Sequence, residues 1–538
     1  MKPYRVCRAC LRQQAVRKRQ YGTVAHGLRD YNAAVQALNS LQSNSSIVEN
    51  LRKAGPGRNR LAIPEMKGWV QRIGYEPCDF DTLNPVHIAG TKGKGSTSSF
   101  ISSILAQYLP SKKSIHAERL PTSVGLYTSP HLRFVRERIK INNQPISEEL
   151  FAKTFWELWD RLESTTLQPI PGNPEPKSIG GKPVYFHYLT LMALHCYMEE
   201  KVGTAVIECG IGGEYDTTNI LQKSLTTGVT SLGIDHVALL GNTIESIAWH
   251  KAGIFRPGVP AFTAPQPDSA LQVMHERAKE RNTELHVVPE HEALKSVRLG
   301  LQGEFQRVNA SLAIAVASSH LSRLGYTSLP DPLDPSDALP AEFITGLESA
   351  HLGGRCDYRA DAKLKNLSWY IDGGHTLESI DMAARWFASS TSTDAIRILV
   401  FNQQTRDAPA LARRLHQTLA SALGDPKPFR HAVFCSNITY TSAGYKADLV
   451  SINTNKDDLA SLRVQRELAH AYDSIDPEAK VHVLPSIEEA VRRAREVAGE
   501  AERRVEVLST GSLHLVGGLI EVLEGEVEGA SSTEKGMS

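Results

Sequence analysis

The residues Pro85-Val86-His87-Ile88-Ala89-Gly90-Thr91-Lys92-Gly93-Lys94-Gly95-Ser96-Thr97 constrain this chain more than any other stretch. A short apolar run, Val86, Ile88 and Ala89, reads as a buried strand. It breaks into a glycine- and lysine-rich turn and resumes as an amphipathic helix through Phe100, Ile101, Ile104 and Leu105. That order suits a nucleoside triphosphate. Glycines let backbone N–H groups approach phosphate oxygens, the helix N-terminus adds partial positive charge, and Lys94 adds a full one. Ser96 or Thr97 offers a hydroxyl to magnesium, an ion held by few protein ligands and several waters. The spacing departs from G-x-x-x-x-G-K-[ST]: two residues separate Gly90 from Gly93, and Gly95 stands between Lys94 and Ser96. Alone the loop indicates ATP or GTP, and a plain Gly/Lys surface turn is its bland alternative.

A chain of 538 residues exceeds what one core accommodates, so two or three domains are expected. The formal net charge of +1 excludes a global field that would recruit nucleic acid or a membrane surface. No apolar run approaches the roughly 20 residues of a membrane span. Cysteines are scattered and odd in number, seven in all, which points to a reducing compartment rather than a disulfide framework. Cys7-x-x-Cys10 has zinc-ligand spacing but no second pair nearby. The first acid is Asp30, and the residues before it are basic without an apolar run. Residues 1–27 therefore read as a mitochondrial targeting leader rather than a secretory signal, with a plain basic arm as the alternative. The expected location is mitochondrial, in the matrix or associated with the inner membrane, and cytoplasmic as well.

Beyond the leader the pattern alternates. Helices are expected through Tyr31, Val35, Leu38 and Leu41, around Met66–Ile73, over 147–164 and over His187–Glu200, and strands over Ser123–Thr128, Thr204–Glu208 and Thr226–Leu232. A helix from Thr243 carries Lys251, and the Gln306–Leu321 helix carries Asn309. Past Gly353-Gly354-Arg355 the alternation restarts and runs to a last helix over Leu513–Leu523. Such alternation indicates βαβ units in an α/β fold with mainly parallel sheets. The expected organisation is a leader (1–27), an ATP-binding catalytic domain (28–346), a smaller Rossmann-like α/β domain (347–525) and a disordered tail (526–538). Segments 168–183 and 326–340 look long and carry no assigned role.

Ligands of parallel sheets bind beyond the carboxyl ends of strands, where Gly90, Ser129, Glu208 and His236 all lie. Glu208 ends the apolar run Ala205-Val206-Ile207, and an acid there is costly without a cation. Magnesium ligation competes with a cap or an ion pair. His236 reads as a metal ligand or as a turn-capping residue. Lys251 shares a helix with Ile244, Ile247, Ala248 and Ala252 and faces partly inward, where metal ions would repel it unless its charge were removed. Asp372-Gly373-Gly374-His375 follows another strand and holds a ribose and phosphate, or forms only a tight turn.

Several stretches in order resemble the Mur ligase superfamily and, within it, the folylpolyglutamate synthase family of eukaryotic type. They are Gly90–Ser96, Thr128-Ser129-Pro130-His131-Leu132, Val135-Arg136-Glu137-Arg138-Ile139, Glu208–Gly213, Asp235-His236, His250–Ile254, Gly354-Arg355, Asp372–His375 and Thr510-Gly511-Ser512. The resemblance covers roughly residues 28–525. It implies that Gly90, Thr91, Lys92, Gly93, Lys94, Gly95 and Ser96 cradle the ATP phosphates, with Lys94 on the transferred one. Ser129 and Glu208 would ligate one magnesium ion, with Ser96 close to it, and His236 a second. Lys251 would carry a carbamate that bridges the metals. Asn309, Arg355, Asp372 and His375 would contact the nucleotide. Lys94, His236 and Lys251 are thus the expected catalytic residues, with a monovalent cation such as K+ as a further cofactor. Gly374 replaces the alanine more usual in this motif.

The implied reaction is ATP-driven amide formation. The γ-carboxylate of a folate's glutamate is phosphorylated, and the amine of L-glutamate displaces phosphate. Folate, L-glutamate and ATP are then the partners, with no nucleic acid, no integral membrane segment and a monomeric chain. Dihydrofolate synthase, or a bifunctional enzyme, is the nearest rival. A nucleotide-binding protein without catalysis is the rival from another class.

Overall fold

The computed structural model describes residues 29–42, 60–109, 121–166, 168, 178–404, 406–442, 448 and 461–534. The leader, Cys7 and Cys10, most of segment 168–183 and residues 535–538 lie outside them.

Helix α1 (Tyr31–Asn39) starts at Asp30, whose side chain accepts from the Ala33 N–H, and α2 (Ala62–Arg72) follows. Strand β1 (Pro85–Ala89) leads through the glycine turn into α3 (Lys94–Gln107). Next come β2 (Val124–Tyr127), β3 (Ile139–Ile141), β4 (Gln144–Pro145) and α4 (Glu148–Glu163). A small hairpin, β5 (Ser178–Ile179) and β6 (Lys182–Pro183), precedes α5 (Tyr185–Glu199) and β7 (Thr204–Glu208). Then β8 (Thr226–Val229), α6 (Val237–Leu240), α7 (Ile244–Lys251), β9 (Ala261–Thr263), α8 (Asp268–Glu280) and β10 (Leu285–Val287) lead to α9 (Gln306–Arg323) and α10 (Ala341–Ser349).

These strands form one sheet in the order β10-β9-β8-β1-β7-β2-β3-β4, parallel from β10 to β2 and antiparallel beyond. Both faces are covered, so successive residues alternate between two cores rather than between core and water. On β2, Leu126 packs with Phe100 and Ile104, whereas Tyr127 packs with Phe151 and Tyr188. Helix α3 differs from the amphipathic expectation. Every residue from Ser96 to Leu105 is buried, because α9 and α10 pack over the side away from the sheet. Its serines fit that tight packing better than larger side chains would. Segment 326–340 braces this face: the Tyr326 hydroxyl donates to Tyr108 O at 2.8 Å, and the Glu292 N–H donates to Pro335 O at 2.8 Å.

The second lobe comprises β11 (Asp357–Ala360), β12 (Leu367–Ile371), α11 (Leu377–Ser390), β13 (Ile396–Phe401), α12 (Ala408–Leu423) and β14 (His431–Cys435). It ends with α13 (Arg463–Asp473), β15 (Lys480–Leu484), α14 (Ile487–Glu500), β16 (Val505–Thr510) and α15 (Leu513–Glu534). Its sheet order is β11-β12-β16-β13-β14-β15, parallel except at the β11 edge. The last helix runs to Glu534, past the Leu523 end and into the tail expected to be disordered. Glutamate and alanine favour helix there, and the isolated glycines cost about 1 kcal/mol each without stopping it. Among the described residues no helix is long and apolar enough to cross a membrane.

Candidate active site

A cleft of about 1500 Å³ opens between the lobes at the carboxyl ends of the strands. Its walls include Lys94, Ser96, Ser129, Glu208, His236 and Asn309 of the first lobe and Arg355, Asp372 and His375 of the second.

The glycine loop is shaped by its neighbours. Gly90 has φ +144°, and a Cβ there would lie 1.9 Å from Thr230 Oγ1. Gly93 has φ +87°, and its Cβ would lie 2.1 Å from Asn309 Oδ1. The Thr91 and Lys92 N–H groups both donate to Ser231 O, at 3.1 and 3.0 Å. Those two donors are therefore occupied, whereas the N–H groups in the first turn of α3 have no intrahelical acceptor. The Lys92 ammonium is also committed: it lies 3.5 Å from Asp235, whose other oxygen pairs with Arg406 of the second lobe at 3.2 Å. Burial works against that carboxylate, yet His236, Lys92 and Arg406 hold it below the usual range.

Glu208 sits beside Ile88 in the sheet and is 3% exposed. Its Oε2 accepts from the Ser129 N–H at 3.1 Å, the one hydrogen bond that the described residues give it. Burial pushes its carboxyl up to about 7, against the pull of Lys94. Among the described residues no three His, Cys, Asp or Glu side chains gather as a metal cluster. The cleft wall at Glu208 offers one carboxylate, and Ser129 and Ser96 of the same wall bring hydroxyls. Such a set fits magnesium, which takes one or two carboxylates and completes its shell with phosphate and water.

Lys251 lies behind the loop rather than in the cleft wall. Buried at 3% exposure, its Nζ donates to Gly90 O at 2.7 Å. Burial, then Lys94, push its ammonium down to about 7. His236 adopts a left-handed conformation, φ 52°, with its N–H donating to Asp235 Oδ1 at 2.9 Å, and opens α6. On the second lobe, Asp372 Oδ2 accepts from Cys356 N at 3.0 Å and Oδ1 from Gly374 N at 2.8 Å. Burial raises its pKa, opposed by Arg355. The His375 Nδ1 donates to Gly373 O at 3.0 Å, and burial lowers this imidazole to about 4, leaving it neutral.

Comparison with known proteins decides the family. A folylpolyglutamate synthase of Neurospora crassa is 43% identical over 508 residues, 93% of each chain. One of Saccharomyces cerevisiae (strain FostersO) is 46% identical over 500 residues, 92% of this chain and 87% of that one. The chain belongs to the folylpolyglutamate synthase family. No protein-family model matches it. Among solved structures, the Mycobacterium tuberculosis folylpolyglutamate synthase complexed with ADP and AMPPCP aligns over 92% of this chain and 99% of that one, at TM-score 0.65 and 21% identity. E. coli FolC in complex with DHPP and ADP aligns over 92% and 98%, at TM-score 0.60 and 20% identity. At those identities the solved structures establish the two-lobed α/β fold.

Within this family member the structure adds residues that the sequence reading passed over. Gln306 links the loop to Asn309: its Nε2 donates to Ser96 Oγ at 3.2 Å, and its Oε1 accepts from Asn309 Nδ2 at 2.9 Å. Its signal was a glutamine at the start of a buried helix, three residues before Asn309. Thr230 and Ser231 close over the loop from the end of β8. Arg406 left no sequence signal, since its partner Asp235 is 171 positions away.

Proposed function

We propose that this protein is an ATP-dependent ligase that adds L-glutamate in γ-linkage to folates and folylpolyglutamates. The observation that carries the reading is one cleft, in a chain of this family, holding a glycine loop that opens a helix, a buried carboxylate at Glu208 and the second lobe's Asp372–His375 turn.

The γ-phosphoryl group of ATP passes to the γ-carboxylate of the terminal glutamyl residue, giving an acyl phosphate and ADP. The amine of L-glutamate attacks the carbonyl carbon, the C–O bond to phosphate breaks, and the nitrogen sheds a proton. Positioning and charge neutralisation suffice for this chemistry, and no side-chain nucleophile is required. The α3 N-terminus and Lys94 receive the phosphates. Asn309, Arg355, Asp372 and His375 hold the nucleotide. Glu208, Ser129 and Ser96 would hold one magnesium ion, and His236 with a carbamylated Lys251 a second; bound there, magnesium neutralises phosphate charge. A monovalent cation such as K+ completes the cofactors. The buried Lys251 supports the carbamate: the ammonium sheds a proton, the neutral amine adds to carbon dioxide with loss of a second proton, and a cation beside Lys94 becomes an anion. Closure of the lobes would keep water from the acyl phosphate. The basic leader supports delivery to mitochondria; a cytoplasmic pool and a monomeric enzyme complete the proposal.

The test is ADP release with ATP, magnesium and L-glutamate, in parallel with tetrahydrofolate and with dihydropteroate. Release with tetrahydrofolate supports the reading. Release with dihydropteroate alone would assign dihydrofolate synthase, and none with either would make the chain a nucleotide-binding protein.

A further inference from the structure

Arg138, which follows the β2–β3 turn, is 8% exposed and lies in the cleft wall. Its Nε–H donates to His131 Nδ1 at 3.0 Å, and its guanidinium lies 5.6 Å from the Tyr185 ring centre. Among the described residues no carboxylate pairs with it. Its charge reaches the Glu208 carboxylate of the same cleft without an ion pair between them, and a buried guanidinium without a paired anion is costly, so this one is placed to receive an anion from the cleft. The fork of Arg matches a carboxylate in two parallel hydrogen bonds.

The support of that guanidinium comes from the other lobe. Because His131 Nδ1 accepts from Arg138, its proton is on Nε2, which donates to the backbone oxygen of Asp448 at 2.9 Å. Asp448 lies between β14 and α13 in the chain, yet it is anchored on the first lobe. Its Oδ1 accepts from the Tyr31 hydroxyl at 2.5 Å and from the Val135 N–H at 2.8 Å. Tyr31 is itself buried, edge-on to Phe151 at 5.2 Å between ring centres. One acid of the second lobe thus meets α1, the residue that opens the Val135–Arg138 turn, and the imidazole that holds Arg138.

We propose that Asp448 is a positioning residue that, through His131, sets Arg138 as a clamp for a substrate carboxylate, so that this part of the cleft is complete only with the second lobe docked. The inference rests on the ligase reading, in which both the folate and L-glutamate bring a carboxylate. Asp448→Ala removes the acceptor for Tyr31 and Val135 and frees the backbone that His131 holds. Asp448→Asn keeps an oxygen in the Oδ1 position.

The test measures KM for folate, glutamate and ATP and kcat for wild type, Asp448→Ala, Asp448→Asn and Tyr31→Phe. Calorimetric titration of each protein with tetrahydrofolate, and separately with its analogue lacking the α-carboxylate, accompanies it. Asp448→Ala is expected to raise KM for one carboxylate substrate about tenfold, with KM for ATP moving less than twofold, and Asp448→Asn to restore it. A rise for folate, with lost preference for the α-carboxylate, assigns the clamp to the folate; a rise for glutamate assigns it to the incoming amino acid. Equal loss for all three substrates, no change in any, or failure of Asp448→Asn to restore binding would overturn the proposal. Absence of turnover in wild type would instead fail the ligase reading, and the titrations would still decide the role of Asp448.

Discussion

The Lys251 ammonium nitrogen donates to the carbonyl oxygen of Gly90 at 2.7 Å, so a helix 161 positions along the chain fastens the first residue of the glycine loop. Lys251→Met keeps the apolar bulk of the stem and removes the donor. We expect a folded protein, within a few degrees of wild type in Tm, with turnover lower by about 10²-fold or more, the scale of losing a preorganised polar group at a reacting centre. Steady-state kinetics beside thermal unfolding checks it.

Gly93→Ala tests the closeness of the loop to α9. The added methyl carbon would sit 2.1 Å from Asn309 Oδ1 at a backbone φ of +87°. Left-handed backbone at a non-glycine residue costs about 1 kcal/mol or more, and Asn309 must move besides. ADP affinity by calorimetry should fall about tenfold, with β1 and the core unaffected in the circular dichroism spectrum.

Glu208→Gln should separate stability from activity. A buried carboxylate that the described residues give one hydrogen-bond donor, the Ser129 N–H, is costly in the ligand-free protein, and the amide retains an acceptor oxygen without the charge. Thermal unfolding in chelator at pH 8 should show the variant at least as stable as wild type. Its glutamate-adding activity should fall by about 10²-fold or more.

Much of this site is legible in the sequence, for a physical reason. Parallel βα units deliver loops to one edge, so the residue at the carboxyl end of each apolar strand, Gly90, Glu208 and Asp372, is a candidate before any coordinates exist. What the sequence hides are partnerships that only packing creates. Helix α3 reads as amphipathic because nothing local announces that α10 will cover its outer side. Lys92 reads as a phosphate ligand because its ion pair with Asp235 depends on a strand end far along the chain. Arg406 and Asp448 have no local signature, since each acts on the opposite lobe.

Acid sensitivity should arise in the first lobe. His320 is wholly buried, shares a 2.8 Å hydrogen bond with Thr204 Oγ1, and burial lowers its pKa to about 3. His87, likewise buried, is lowered to about 3. Between that value and the ordinary histidine pKa of about 6.5 the unfolded chain binds protons that the folded chain does not. Stability is therefore full above about pH 6.5 and falls as pH drops toward 3. Denaturant unfolding at pH 7 and pH 5 should show the loss, and His320→Gln should reduce the pH dependence while lowering stability at pH 7.

Whether the cleft joins glutamate to a folate at the expense of ATP is decided by product chain length. Purified protein is incubated with ATP, magnesium, tetrahydrofolate and labelled L-glutamate, beside Lys94→Ala, and the folates are separated by glutamyl number. Wild type should yield labelled folates longer by one or more glutamyl residues, and a folded Lys94→Ala none. Unlengthened folate from active, nucleotide-binding wild type, or normal lengthening by Lys94→Ala, would contradict the ligase reading.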